Sequence, residues 1–307
     1  MNVPRGQAPP GLGEPDATPP EPRPRVDGGD RSASFGVRLD RALSDRGSLC
    51  VGIDPHPELL TAWGLTDDLK SLEVFSLTCV EAFAGLAAVV KPQSAFFERF
   101  GSRGIEVLER TIVQARQAGA LVLLDVKRGD IGTTMTAYAE AYLDPSSSIA
   151  VDAITVSPYL GVGSLSPVFE LAAANAAGVF VLALTSNPEA RQLQHARLPD
   201  GRTVAQSIID ELSRYNRGAT PLGNVGAVVG ATIGEPVADL SRLNGAYLVP
   251  GVGAQGGTAA DVKRIFTDRL AAVLPSVSRE ILRRGPSRRA LRSETERAIS
   301  QFQFLRN

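Results

Sequence analysis

The sequence predicts a single α/β domain folded as a TIM (β/α)8 barrel. Eight short apolar runs recur along the chain, and stretches with helical periodicity separate them. The alternation extends over about 250 residues, the usual length of such a barrel. A doubly wound open sheet is the alternative, and it fits less well because no G-x-G-x-x-G motif follows the first apolar run.

The eight apolar runs are rich in Val, Ile and Leu and are about 4–7 residues long. They are apolar on both faces, which is typical of buried parallel strands. The predicted strands comprise residues 49–53, 87–90, 120–126, 153–156, 179–184, 226–231, 246–249 and 270–274.

Apolar residues between the runs repeat at steps of three or four, which places them on one face of a helix. The clearest stripes are formed by Leu72, Phe75, Cys79, Phe83 and Leu86 and by Ile105, Leu108, Ile112 and Ala115. Near the end of the chain, residues 287–307 combine several arginines with an apolar stripe. That pattern predicts a last helix packed on the barrel, and a helix that faces a membrane or RNA is the alternative.

The first 34 residues differ in composition from the rest of the chain. Eight of the 21 prolines lie between Pro4 and Pro24, mixed with Gly, Asp and Arg. Such a segment cannot bury enough apolar surface to offset the entropy lost on ordering. We therefore predict a disordered tail over residues 1–34, with a partner-binding arm as the alternative, and a barrel domain over residues 35–307.

The overall composition argues against several classes of protein. The chain has 33 acidic and 32 basic residues, which gives no reason to expect a nucleic-acid or membrane partner. It has no apolar stretch of about 18 residues and no apolar run typical of a secretory signal. Cys50 and Cys79 lack metal-ligand spacing, and His56 and His195 are the only histidines. We therefore expect a cytoplasmic protein without a metal site.

Ionisable side chains end the first three apolar runs, at the end of the strands where a barrel carries its chemistry. They are Asp54, Lys91 and the group Asp125, Lys127 and Asp130. Because side chains alternate along a strand, Asp125 and Lys127 should both face the barrel mouth, where Lys91 can approach them. An array of alternating Lys and Asp keeps each group ionised. A structural salt bridge is the alternative, but burying charge is costly without a purpose.

A glycine-rich stretch, residues 251–257, follows the seventh run. Glycines let backbone N–H groups approach an anion closely, and the loops after strands seven and eight are the usual phosphate site of a barrel. Gln255 can donate through its amide beside Gly256 and Gly257, and Arg279 can offer a bidentate fork. The stretch therefore predicts phosphate binding, with a merely flexible loop as the alternative.

At these positions the chain resembles a known family. Residues 124–134 (LDVKRGDIGTT) are similar to the D-x-K-x-x-D-I-x-x-T signature of the orotidine 5′-monophosphate decarboxylases, in the variant of the longer bacterial branch. Further matches follow in family order, so that the resemblance covers roughly residues 36–290. These matches are residues 51–55, 90–93, 184–188 and 249–257.

The resemblance implies a lyase that decarboxylates orotidine 5′-monophosphate to UMP and CO2 without a cofactor, in the final step of de novo pyrimidine synthesis. It implies that Lys127 protonates C6 of the pyrimidine and that Asp125 lies against the departing carboxylate. Lys91 and Asp54 would contact the ribose hydroxyls, and Lys91 would also order the charge array.

The resemblance also implies which residues contact the pyrimidine and the phosphate of the substrate. Ser186 matches a serine that hydrogen-bonds the pyrimidine, and Gln255 and Arg279 match the residues that hold the phosphate. Asp130 and Thr134 resemble residues that reach into the site of the other subunit, which implies an obligate homodimer.

Two other functions remain open from the residues alone. One is a metal-dependent phosphosugar lyase of the same superfamily, for which no clear additional carboxylate set is present. The other is a non-catalytic phosphate-binding barrel, which would leave the array of lysines and aspartates unexplained.

Overall fold

Eight parallel strands form a closed barrel in which each strand pairs with its neighbours in the sequence. The computed structural model describes residues 31–267 and 270–306. The strands pair in order from the first to the eighth, and the eighth pairs with the first. The predicted TIM barrel is therefore confirmed. The strands are β1 (Cys50–Ile53), β2 (Val89–Pro92), β3 (Leu121–Arg128), β4 (Ala153–Val156), β5 (Gly178–Leu184), β6 (Val225–Val229), β7 (Tyr247–Val249) and β8 (Val273–Val277).

Helices surround the barrel and connect most consecutive strands, but residues 230–246, between β6 and β7, form no helix. Those in the described residues are α1 (Phe35–Arg46), α2 (Pro57–Ala62), α3 (Leu69–Phe83), α4 (Ala95–Glu98), α5 (Gly101–Gln117), α6 (Gly132–Leu143), α7 (Ser166–Ala174), α8 (Ala190–Gln194), α9 (Val204–Tyr215), α10 (Ala259–Ile265), α11 (Arg279–Leu282) and α12 (Arg288–Gln301). The predicted stripes are mostly buried on α3 and α5, as the amphipathic pattern requires, although Ile105 is only partly buried and Leu86 lies beyond the end of α3.

The helix before the first strand closes one end of the barrel. Phe35, Leu39 and Leu43 of α1 pack in one cluster with inward-pointing strand residues such as Phe180. The rings of Phe35 and Phe180 meet edge to face at 6.1 Å. Gly178 allows this approach, because a β-carbon there would lie 2.3 Å from the Phe35 ring. The amino-terminal end of the barrel is thus filled by the side chains of α1.

The eighth strand begins three residues later than predicted. The apolar run predicts residues 270–274, whereas Leu270–Ala272 forms a 3₁₀ turn and β8 is Val273–Val277. Pro275 and Ser276 interrupt the apolar pattern, yet they pair in register with Val249 and Cys50. Proline has no N–H to donate in strand pairing and is uncommon inside a sheet. All eight predicted strands overlap the observed ones, and residues 153–156 match to the residue.

The two ends of the described chain pack on the barrel. The last helix, α12, buries Leu291 and Ala298, as its apolar stripe predicts. At the other end, Ser34 accepts a hydrogen bond from the Val37 N–H and caps α1, and the Arg31 guanidinium donates to the carbonyl of Val151. The prediction of a disordered tail concerns residues 1–34, of which 1–30 lie outside the described residues. None of the described helices has the length and apolar character needed to cross a membrane.

Candidate active site

A cavity of about 540 Å³ opens at the carboxyl ends of the strands. Every strand, or the loop directly after it, contributes to the lining, as in the catalytic end of a β/α barrel. Most of the predicted site residues meet here: Asp54, Lys91, Asp125, Lys127, Ser186, Gln255 and Arg279.

Asp125 lies between two lysines at the wall of this cavity. Lys91 Nζ lies 3.1 Å from Asp125 Oδ2, and Lys127 Nζ lies 2.5 Å from Asp125 Oδ1. Burial alone would raise the pKa of Asp125, but the two ammonium groups and hydrogen bonds from Lys127 and Thr155 lower it well below its usual range. The carboxyl group is therefore held as a carboxylate.

Lys91 is as deeply buried as the carboxylate that it contacts. Burial would lower the pKa of Lys91, but the negative charges of Asp125 and Asp54 outweigh this effect and raise the pKa. The amine is therefore held as an ammonium. Lys127 is different, because 45% of its side chain is exposed and its ammonium faces the open cavity.

A bulge in β3 places Lys127. The pairing of β3 with β4 shifts register between Leu124 and Arg128, and the φ of Lys127 is +46°, in the left-handed region. Asp125 and Lys127 do line the same cavity, as predicted. Simple alternation along a strand does not explain it, because the bulge turns the Lys127 side chain back onto Asp125.

Asp54 follows β1 and offers an unused acceptor. Its Oδ2 accepts a short hydrogen bond from Ser278 Oγ. Its Oδ1 is buried and has no hydrogen-bond partner within the described part of the chain. A buried carboxylate oxygen without a donor is costly, so this atom is suited to accept a hydrogen bond from a ligand hydroxyl.

The segment after β5 is held by its own polar side chains. Gln194 of α8 accepts from the Thr185 N–H at 2.8 Å and donates to Thr185 Oγ1 at 2.9 Å. Thr185 Oγ1 in turn donates to Asn187 Oδ1 at 2.7 Å. These bonds fix the backbone on both sides of Ser186, which lines the cavity between them.

The glycine-rich loop after β7 faces the cavity only in part. Gly251, Ala254 and Gln255 line the cavity, together with Arg279 at the start of α11. Gly256 and Gly257 were predicted to bind phosphate, but they line a neighbouring depression instead. Their N–H groups donate within the loop, from Gly256 to the Gly253 carbonyl and from Gly257 to the Gly251 carbonyl. These two backbone N–H groups, which the sequence predicts to bind phosphate, therefore already have hydrogen-bond acceptors within the loop.

Asp130 and Thr134 do not reach the cavity of their own chain. Asp130 Oδ1 accepts from the Ile131 N–H at 2.8 Å in the loop after β3. Thr134 lies exposed in the first turn of α6, and Ile131, which directly precedes that helix, is 62% exposed. The array within one chain therefore consists of Lys91, Asp125 and Lys127.

Several lining residues were not predicted from the sequence. They are His56, Gln93, Thr155, Asn187, Gln194, Ser276 and Ser278. Thr155 carried a usable signal, because it is the one polar residue within the fourth apolar run. Gln194 carried none, since it lies on a separate short helix and meets Thr185 only after folding.

Neither the cysteines nor the acidic residues of the described chain form a metal-type cluster. Cys50 and Cys79 are both buried and free, and burial raises the pKa of Cys50 to about 12. Within residues 31–267 and 270–306, no three His, Cys, Asp or Glu side chains come together as a possible metal site.

The fold and the cavity define a β/α-barrel protein whose open end carries two lysines around one carboxylate and an arginine beside a glycine-rich loop. The chain belongs to the Orotidine 5'-phosphate decarboxylase / HUMPS family, whose family model matches residues 47–293.

Relatives found by sequence cover most of the chain. The orotidine 5'-phosphate decarboxylase of Salinispora tropica is 64% identical over 267 residues, which are 87% of this chain and 96% of that protein. The protein of the same name from Streptomyces coelicolor is 57% identical over 263 residues, 86% of this chain and 95% of its own length.

Solved structures agree with these sequence relatives. A crystal structure from Streptomyces avermitilis, described as a candidate orotidine 5'-phosphate decarboxylase, is 56% identical and superposes with a TM-score of 0.86. The match covers 89% of this chain and 95% of that one. The OMP decarboxylase of Leishmania donovani is 32% identical, with a TM-score of 0.68 over 89% of this chain and 100% of that one.

Proposed function

We propose that this chain is a carboxy-lyase that converts orotidine 5′-monophosphate to UMP and CO2 in pyrimidine nucleotide synthesis. The family and relatives at 64% identity that carry the name of this enzyme support the reaction. The observation that carries the proposal is the position of Asp125 between Lys91 and Lys127 at the open end of the barrel.

The reaction needs a positive charge beside C6 of the pyrimidine. Loss of CO2 leaves an electron pair on a ring carbon with no adjacent carbonyl to delocalise it, so that preorganised charge must stabilise it. We assign this role to the ammonium of Lys127, which then donates a proton to C6. Lys127 is suited to both tasks because Asp125 holds it in place while its side chain remains open to the cavity.

Asp125 is assigned to the carboxylate side of the substrate. Its charge would lie against the departing carboxylate, and the repulsion between the two negative charges would be relieved when CO2 leaves. The pKa of Asp125 is lowered by its lysine neighbours, so the group keeps its negative charge at neutral pH. Lys91 neutralises the other oxygen and keeps the array together.

The remaining residues are assigned to the parts of the substrate that do not react. Asp54, with its unpaired Oδ1, and Lys91 would hold the ribose hydroxyls, and Ser186 the pyrimidine edge. Arg279 and Gln255 would hold the phosphate at the other side of the cavity. Binding energy from these remote groups can be used to close loops over the base and to hold the charge array in place.

The active species in this proposal is a homodimer in the cytoplasm. Asp130 and Thr134 would complete the site of the partner subunit, since they lie outside the cavity of their own chain. The exposed side chain of Ile131 between them suits a surface that a second copy covers.

A spectrophotometric assay with orotidine 5′-monophosphate, with and without a chelator, tests the proposal. Turnover to UMP that is insensitive to chelator is expected, because the proposed chemistry uses only side chains of the chain. Chelator-sensitive turnover of a phosphosugar would instead favour the metal-dependent lyase. Binding of the nucleotide without turnover would indicate a non-catalytic phosphate-binding barrel.

A further inference from the structure

We propose that Thr155 is a positioning residue for the decarboxylation, and that its hydroxyl sets the geometry between Asp125 and Lys127. This inference rests on the proposed function. Thr155 lies on β4, is only 1% exposed, and lines the cavity next to β3.

The hydroxyl of Thr155 has three hydrogen-bond partners, all on β3. It donates to Asp125 Oδ1 at 2.8 Å. It accepts from the backbone N–H of Val126 at 3.0 Å and of Lys127 at 2.9 Å. A hydroxyl has one hydrogen to donate and two lone pairs, so these three bonds use its full capacity. Because an amide can only donate, the hydroxyl proton must be directed at the carboxylate.

At the bulge, the bonds to Thr155 replace the backbone pairing between β3 and β4. Leu124 pairs with Ile154, and pairing resumes only at Arg128 with Val156. The amides of Val126 and Lys127 lie between these two points, and both donate to the Thr155 side chain. The bulge gives Lys127 its φ of +46°, a conformation that is unfavourable for a residue with a β-carbon and that the surroundings must hold.

The same side chain therefore orients both members of the reacting pair. Asp125 Oδ1 receives the Thr155 hydroxyl and Lys127 Nζ, while Oδ2 receives Lys91 Nζ. If the Thr155 hydroxyl is removed, the Asp125 carboxylate can rotate. The backbone N–H of Lys127 also loses its hydrogen-bond acceptor. Displacement of a reacting group by about 1 Å can lower a rate by about 100-fold.

Steady-state kinetics with orotidine 5′-monophosphate test this role in the full-length protein. Thr155→Val keeps the shape of the side chain and removes the hydroxyl, and we expect kcat to fall about 10- to 100-fold. KM should change by less than about threefold, because the loss concerns the geometry of the reacting groups and not the ribose or phosphate contacts. Thr155→Ser restores the hydroxyl and should return kcat to within about fivefold of wild type.

Thr111→Val serves as the matched control. Thr111 is fully buried, but its hydroxyl donates to the Val107 carbonyl within α5, on the outer layer of the barrel. This variant should keep wild-type kcat and KM. It separates the effect of the Thr155 hydroxyl from the general cost of replacing a buried threonine by valine.

The outcomes separate the two proposals. An inactive wild-type protein would contradict the proposed function. If wild type is active, an unchanged kcat in Thr155→Val, a loss confined to KM, or a Thr155→Ser variant as slow as Thr155→Val would overturn the positioning role. Should Thr155→Val fail to fold, Thr155→Cys takes its place, since a thiol is a weak donor and acceptor. Wild-type kcat in that variant would also overturn the role.

Discussion

Lys91 and Asp125 form an ion pair that water scarcely reaches. Their charged atoms lie 3.1 Å apart, and the two side chains are only 7% and 9% exposed. A pair buried this deeply gains little net stability, because desolvation opposes the attraction between the charges. At the mouth of the barrel, the ion pair keeps Asp125 ionised and holds its carboxylate in contact with Lys127.

Removing the amine of Lys127 should abolish turnover without unfolding the protein. We expect Lys127→Ala to lower kcat by at least about 10³-fold, because both the positive charge and the proton donor are lost. UMP affinity, measured by calorimetry, should show that the cavity still forms. Lys70→Ala removes an exposed lysine on α3 and should keep wild-type kcat. A kcat for Lys127→Ala within about tenfold of wild type would contradict the assigned role.

The stability of the protein should depend on the ionisation of Asp125 in acid. The pKa of Asp125 is lowered in the folded state, so the unfolded chain takes up a proton at higher pH than the folded protein does. The stabilisation is present above the unfolded pKa of about 3.9 and is lost as the pH falls towards the folded pKa. Asp125→Asn lacks this contribution, and its stability should decline less steeply below about pH 4.

Urea unfolding at neutral pH and at several values below about pH 4 measures this difference. Asp45→Asn, which alters an exposed aspartate on α1, should follow the wild-type curve. An Asp125→Asn curve parallel to wild type throughout acid pH would argue that the carboxylate is not held ionised by its lysine neighbours.

Mixing two inactive variants should restore activity if Asp130 acts in the partner's site. Lys127→Ala and Asp130→Ala should each be nearly inactive alone. In a mixed dimer, one site combines the intact Lys127 of one subunit with the intact Asp130 of the other. Random exchange makes half of the dimers mixed, so that activity should reach about a quarter of wild type. No recovery after verified exchange would place Asp130 outside the shared site.

Loss of Arg279 should weaken binding of the substrate phosphate. We expect Arg279→Ala to raise KM about 10- to 100-fold, since a hydrogen bond to a charged group contributes about 1.5–3 kcal/mol. Arg283→Ala is the matched control, because Arg283 lies one turn further along and lines the neighbouring depression. Equal effects of the two substitutions on KM would indicate that the phosphate does not bind where Arg279 lines the cavity.

Local patterns were sufficient to predict most of the barrel and much of its open end. Asp54, Lys91 and Asp125 could be assigned to one cavity because each ends a predicted strand, and parallel strands end on the same side. The predicted β8 is displaced by three residues, because Pro275 and Ser276 interrupt the apolar pattern although they pair with Val249 and Cys50 in the barrel.

The amino-acid sequence by itself determined which residues stand at the ends of the strands, because hydrophobic periodicity is a property of neighbours along the chain. Only the tertiary structure decided which of those side chains share hydrogen bonds. Thr155 and Asp125 are 30 residues apart, and no periodicity links them. Gly256 and Gly257 likewise turned away from the cavity because their loop closes on itself. Such contacts depend on how separate elements meet in space, which the order of residues alone does not express.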